Sequence, residues 1–331
     1  MKKIKLMRQL VHTTRDYIHT SREYKIQCGR NSNRNIQFYN WWSTDSFDRL
    51  WFYRFVENCG LLKNSSKRIC FFSVFGDRNM VGRVPSDLKV FFTGENVHLE
   101  AHRKYGDSLL DDKDCDFSMG FDFIEEDNYL RFPLWLIYMF EPYIDSQRIA
   151  KKCEELRWHT DTIDRQRFAA LIARADILGI RTEMYDALST VGRVDCPSTL
   201  LHNDDTLKTQ FNDNKQNYLG NYIFNICPEN SNSYGYVTEK LFQAIAAGCI
   251  PIYWGSFNAP ELKVLNQDAI VFWDRENGGA KAVQKVRDLV SDSKQLKEFM
   301  QQPRLQPTAE EEIEKMIVGL YDRLKELINN I

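Results

Sequence analysis

Residues 224–255 read FNICPENSNSYGYVTEKLFQAIAAGCIPIYWG. The stretch is bounded by apolar, strand-like runs, Tyr222–Cys227 before and Ile250–Trp254 after. Between them lies a polar, turn-rich loop with Pro228, Asn230, Asn232 and Gly235, and then a helical run from Thr238 to Ala247 stopped by Gly248. Strand, loop, helix and strand make a βαβ unit, the repeat from which parallel sheets are built. The loop delivers Tyr236, Glu239 and Lys240 to a helix N-terminus, where free backbone N–H groups and the helix dipole favour an anion such as a pyrophosphate. The glycines are too few and wrongly spaced for a Walker loop or a dinucleotide GxGxxG.

Outward from this stretch, the 331-residue chain is long enough for two ordinary domains or one large one. With 43% hydrophobic and 27% charged residues it can bury real cores. A net charge of −2 and a pI near 6.3 argue against nucleic acid as a partner. No apolar run approaches the roughly 20 residues that cross a bilayer. The basic start, MKKIKLMRQLVHTT, lacks the apolar stretch and cleavage site of a secretory signal. The eight cysteines are scattered without a CxxC pair, which reads as buried free thiols in a reducing compartment.

Residues 1–35 form a basic segment with Ile4, Met7, Val11 and Ile18 at helical spacing, able to lie on a membrane or to pack on the body. Alternating segments follow, as in α/β architecture. Ile36–Trp42, Arg68–Val74 and Lys89–Thr93 read as strands and Phe47–Asn58 as an aromatic-rich helix; Cys115–Phe123 and Leu130–Ile137 come next. Charge rises from Glu141 to Arg167, which reads as a linker between an α/β domain over 36–160 and a second over 165–305. The last segment, 308–331, opens with a capping box, Thr308 and Glu311, after Pro307. It carries Ile313, Met316, Ile317, Leu320, Leu324, Leu327, Ile328 and Ile331 on one face of an amphipathic helix.

Several motifs together resemble one family. Phe224, Cys227, Glu229–Asn230, Gly235–Lys240 and Ile250–Gly255 fit, nearly position by position, the donor signature of the α-1,3/4-fucosyltransferases that use GDP-fucose, in their bacterial type. VFFTGEN (90–96), DFSMGFD (116–122), YLRFP (129–133) and the NWW of 40–42 match further family motifs. The resemblance implies a GT-B fold, two facing Rossmann-like domains with a cleft between them. The acceptor side would be 36–160 and the GDP-fucose side 165–305. It implies an inverting transfer of L-fucose from GDP-β-L-fucose to a GlcNAc hydroxyl of a lactosamine-type glycan, α-1,3 or α-1,4, giving a Lewis-type product. Glu95 would be the general base, and Arg181 with Lys240 a diphosphate clamp in place of a metal. Asn230, Tyr236 and Glu239 would complete the donor site. No cofactor is required, with room for modest stimulation by Mn2+. No Golgi-type anchor precedes the motifs, which suits a cytoplasmic member, soluble or peripheral to the inner membrane.

The family pattern S-N-x-x-x-x-x-R departs here to ARADILGIR before Arg181. Two rivals stay open: a same-fold transferase for another nucleotide sugar or acceptor, and a non-catalytic glycan-binding protein. The intact Glu95, Arg181 and Lys240 set speaks against the second, since a lectin needs no phosphate clamp. Asp114 and Asp116 form a formal DxD, but Asp116 falls inside the DFSMGFD match. His98 and His102 have the i, i+4 spacing of zinc ligands without an evident third.

Overall fold

The computed structural model describes residues 20–43, 45–100, 102, 114–158 and 165–331. The apolar stripe expected over Ile4–Ile18 lies outside the described residues; residues 20–31 form a helix, α1. The chain divides into two compact units. The first comprises the residues up to Gly120 with Glu125–Leu130 and Tyr321–Ile331, the second Phe121–Ile124 and Arg131–Leu320.

In the first unit, β1 (Ile36–Tyr39), β2 (Ile69–Phe72), β3 (Leu88–Phe92), β4 (Phe117–Gly120) and β5 (Tyr129–Arg131) form a sheet in that order, with β1 to β4 parallel. Strands buried on both faces need continuous apolar sequence, and IQFY, ICFF and LKVFF supply it. Helix α2 (Trp51–Asn58) lays Phe52 against Phe71 and Phe92, making an aromatic core. The edge strand β1 is closed by one side chain. The buried Asn31 amide donates to Phe38 O at 2.9 Å and accepts from Phe38 N at 2.8 Å, taking the backbone groups that an open edge would expose.

In the second unit, β6 (Arg167–Ala170), β7 (Val194–Asp195), β8 (Tyr222–Ile226), β9 (Ile250–Tyr253) and β10 (Val271–Phe272) lie in the order β10-β9-β8-β6-β7, all parallel. The chain starts in the middle at β6, steps outward to β7, then crosses back to β8. The strand order therefore reverses between β6 and β8. Its helices are α3 (Trp135–Met139), α4 (Ser146–Arg157), α5 (Ile180–Leu188), α6 (Glu239–Ala246), α7 (Ala280–Ser291) and α8 (Ser293–Met300), with the part of α9 (Ala309–Asn330) up to Leu320. The expected βαβ unit is β8–α6–β9. Arg165 ties the start of β8 to the end of α6, donating to Tyr222 O at 2.9 Å and Ala247 O at 2.8 Å.

Two expectations differ from the structure. The charged stretch read as a linker contains α4, capped by Asp145 and burying Ile149, Cys153 and Leu156. Residues 131–158 accordingly count with the second unit rather than with the first, because the apolar stripe of α4 is covered. The second difference is the capping box. The Thr308 hydroxyl donates to Lys263 O at 2.7 Å instead of joining Glu311, although α9 still starts at Ala309 and buries Ile313, Ile317, Leu320 and Leu324. All eight cysteines are free, and burial pushes the Cys70, Cys115 and Cys153 thiols up to about 12. Among the described residues no helix is long and apolar enough to cross a membrane.

One packing contact holds α6 in place. Trp135 is fully buried, stacks on Phe242 with centroids 4.1 Å apart, and donates its indole N–H to Glu261 at 2.9 Å. Trp135→Ala removes both the stack and the hydrogen bond. It should lower the stability of the second unit by about 3–5 kcal/mol. Trp135→Phe keeps a ring on Phe242 and should cost less. Chemical denaturation of the two variants checks the order; equal losses would show that the ring stack contributes little.

Candidate functional site

Open parallel sheets bind ligands beyond the C-terminal ends of their strands, where the strand order reverses. In the second unit that point lies past β6 and β8. A cleft of about 710 Å3 opens there, walled by Leu171–Asp176 after β6 and Cys227–Asn230 after β8. The starts of α5 and α6 contribute Arg181, Glu239 and Lys240. Four of the expected donor-site residues, Arg181, Asn230, Glu239 and Lys240, therefore line one cleft.

The loop between β8 and α6 is organised by Glu229. Its carboxylate is fully buried and accepts from Thr238 N at 2.8 Å, from the Thr238 hydroxyl at 2.6 Å and from the Tyr253 hydroxyl at 3.4 Å. Lys240 Nζ lies 3.6 Å from Glu229 and donates to Thr238 Oγ1 at 2.9 Å and to Glu239 at 3.4 Å. Burial pushes the Glu229 carboxyl up, against the pull of Lys240 and the Thr238 hydrogen bonds. Burial alone would lower the Lys240 ammonium, but Glu229 and Glu239 outweigh it and hold it above its ordinary value. Arg181 opposes that shift, so the two cations are close enough to feel each other. Gly255 completes the arrangement. A Cβ there would sit 2.7 Å from both Glu229 Cγ and the Tyr253 hydroxyl, so only glycine lets the strand end pass the carboxylate.

Arg181 stands at the start of α5. The Asp176 carboxylate receives Arg181 N at 3.2 Å, Thr182 N at 2.8 Å and the Thr182 hydroxyl at 2.8 Å, and so caps the helix. Burial pushes the Asp176 carboxyl up, but the hydrogen bonds from Thr182 and Arg181 outweigh it and hold it below the usual range. The guanidinium donates to Asn230 Oδ1 at 2.6 Å and to Ala175 O. At the start of α5 the backbone donors of Arg181 and Thr182 are thus engaged by Asp176, whereas at α6 Glu229 takes the N–H of Thr238, the residue before the helix.

Other sequence candidates sit elsewhere. Tyr236 is buried, packs edge-on to Phe121 with centroids 5.0 Å apart, and is not among the residues that line the cleft. Glu95 belongs to the first unit, just past the C-terminal end of β3. Its backbone N–H donates to Thr93 Oγ1 at 3.0 Å, and its side chain is partly exposed. The acids of the DxD are engaged separately, Asp114 with Arg78 at 2.6 Å and Asp116 with Lys89 N at 2.7 Å. Glu229 and Asp176 are the organising residues that the sequence reading did not single out. For Glu229 the available signal was its place in the CPEN motif beside Asn230.

A second feature adjoins the loop. Ser256, Phe257 and Asn258 have φ values of 48°, 49° and 56°, a left-handed turn of three non-glycine residues. Such residues cost roughly 1–2 kcal/mol each, so the surroundings must impose the turn. They do so through Gly235 N on Ser256 Oγ (3.0 Å), Phe257 N on Asn232 Oδ1 (2.6 Å) and Asn258 Nδ2 on Trp273 O (3.0 Å).

Comparison with known proteins places this geometry. The model of the α-(1,3)-fucosyltransferase FucT N-terminal domain matches residues 36–138, and that of the glycosyltransferase family 10 (fucosyltransferase) C-terminal domain matches residues 164–318. The α-(1,3)-fucosyltransferase FucT of Helicobacter pylori is 31% identical over 194 residues, 51% of this chain and 37% of that protein. The match thus spans little more than a third of that relative's length. Crystal structures of an α1,3-fucosyltransferase, alone and with GDP-fucose, align over 88% of this chain and 89% of theirs, with TM-scores of 0.58 and 0.55 and identities of 22% and 20%. At that identity the likeness concerns the fold, which is α/β of the GT-B type. With one domain model matching each half, the chain belongs to the glycosyltransferase family 10 fucosyltransferases.

Proposed function

We propose that this protein is an inverting, metal-independent fucosyltransferase that moves L-fucose from GDP-β-L-fucose to a GlcNAc hydroxyl of a lactosamine-type glycan. The observation that carries the reading is the cleft at the β6/β8 reversal, with Arg181 and Lys240 lining it together, in a chain of this family. The acceptor hydroxyl attacks the anomeric carbon from the face opposite GDP and forms the new C–O bond as the bond to the pyrophosphate breaks. Glu95 takes the hydroxyl proton. Negative charge grows on the departing diphosphate, where Arg181 can grip bidentately and Lys240 acts as a point charge. The free cysteines suit a cytoplasmic setting for this reaction.

The two cations are not equivalent. Arg181 is held by neutral acceptors, Asn230 Oδ1 and Ala175 O, whereas Lys240 is shared with Glu229 and Glu239. Arg181→Ala should weaken GDP binding by about 1.5–3 kcal/mol, the scale of a lost charge-assisted hydrogen bond, with little change in melting temperature. Lys240→Ala should weaken GDP binding too. It also leaves Glu229 buried without its counter-charge, and should cost about 3 kcal/mol or more of stability. Isothermal titration with GDP and thermal unfolding separate the two effects. If both variants bind GDP like the parent, the donor site lies elsewhere, and a protein that binds lactosamine but not GDP would instead be a glycan-binding protein.

Glu95→Gln should lower turnover by roughly 10²–10⁴-fold, the range for losing a general base, and leave GDP affinity unchanged. Near-native turnover in this variant assigns the proton to another group. Transfer should also persist in EDTA, with manganese giving at most modest stimulation. Complete loss on chelation, restored by metal, would return attention to Asp114 and Asp116.

A further inference from the structure

We propose that Phe123 and Tyr234, together with Phe257, form a stacking platform for a pyranose ring of the acceptor glycan. The inference rests on the transferase reading above. All three side chains belong to the second unit and are more than half exposed, at 58%, 51% and 63%. None lines the nucleotide cleft. The loop that carries Tyr234 nevertheless also carries Asn230, which does line it. A sugar resting on these rings would therefore lie beside the donor loop, where a group-transfer reaction needs its second substrate.

The rings are built in rather than merely exposed. Phe123 lies directly on the loop backbone. A Cβ at Gly235 (φ 78°) would sit 2.9 Å from its Cε2, so the approach requires glycine. Tyr234 meets Phe123 with centroids 5.1 Å apart and planes at 31°. The Arg131 guanidinium stacks 4.2 Å from the Phe123 centroid and is itself fixed by Glu261 at 2.6 Å and Phe121 O at 3.1 Å. Phe257 is displayed by the left-handed turn, which Asn232 and Gly235 of the same loop hold in place. A bulky residue kept at positive φ and pointed into water suggests a role other than packing.

The chemistry selects the occupant. Aromatic faces carry negative charge density, which attracts the weakly positive C–H groups on the apolar face of a pyranose. Arg131, the cation beside the rings, is already paired with Glu261 at 2.6 Å, which leaves it little charge to offer an anion. A neutral saccharide fits this surface better than a nucleotide or an acidic peptide.

The test uses the full chain saturated with GDP and N-acetyllactosamine as the probe, its affinity followed by saturation-transfer NMR. Phe123→Ala, Tyr234→Ala and Phe257→Gly should each weaken lactosamine binding by about 3- to 10-fold, the worth of one aromatic contact, with GDP affinity unchanged. Tyr234→Trp should retain binding. Phe257→Gly should hold or raise the melting temperature, because glycine accepts the left-handed conformation, whereas a packing role predicts a fall. Unchanged lactosamine affinity in all three variants, the result expected if the rings dock a protein instead, overturns the platform. So does a loss that merely tracks melting temperature or GDP affinity, or a parent protein that binds no lactosamine. Failure of the transferase reading is a separate result: a parent that binds GDP and lactosamine yet transfers no fucose.

Discussion

A carboxylate without access to water holds the candidate site together. An ionised acid in a protein interior is tolerated only when hydrogen bonds and a counter-charge surround it. Glu229 obtains these from Thr238, Tyr253 and Lys240, that is, from the start of α6 and the end of β9. The loop after β8 therefore has little freedom to take another path. Asn230, the next residue, is carried to the guanidinium of Arg181, and Lys240 is drawn back against the cleft wall. Gly255 belongs to the same constraint, since any side chain there would collide with the carboxylate stem.

Much of this was legible in the sequence, for a physical reason. Parallel strands covered on both faces must be uninterrupted apolar runs, so β2, β3, β8 and β9 appear in the letters to within a residue or two. The helix of the βαβ unit is framed by its own stop, Gly248, at φ 74°. The limits are equally physical. Helix α4 reads KKCEELR over much of its length, and its charge hides a stripe of only Ile149, Cys153 and Leu156. Tyr236 sits in a polar motif but is core, because burial depends on the distant Phe121 rather than on its neighbours in sequence. Glu229 follows a proline in a loop, the setting of a solvated acid, and only tertiary contacts bury it.

The left-handed turn at Ser256–Asn258 shows the same dependence from the other side. Local preference opposes it at Ser256 and Phe257, and only Asn258 is a residue that tolerates the conformation readily. Its hydrogen-bond partners lie 25 residues back in the chain at Asn232 and 21 back at Gly235, and 15 ahead at Trp273. The turn can therefore exist only after the Glu229 loop has taken its path. Strain in one loop is secured by the buried acid of another, so the two loops form one mechanical unit.

That coupling bears on how the cleft manages charge. Asp176, Asp213, Glu229 and Glu239 bring four acids to a cleft lined by four cations, Arg174, Arg181, Lys215 and Lys240, which on a simple count leaves no net positive charge to attract a diphosphate. The geometry removes the conflict. The Glu229 side chain is fully buried, and its charge is already matched by hydrogen bonds and Lys240. Asp176 is turned into the first turn of α5, where it accepts backbone and hydroxyl donors. Both acids thus act on the protein itself, fixing where the cations stand. Arg181 faces the cleft with its guanidinium on two neutral acceptors, Asn230 Oδ1 and Ala175 O, and with Asp176 close enough to feel its charge. A site arranged in this way can be stable while empty and still hold its cations at the cleft wall to meet charge as it develops, which is the preorganisation that electrostatic stabilisation of a leaving group requires.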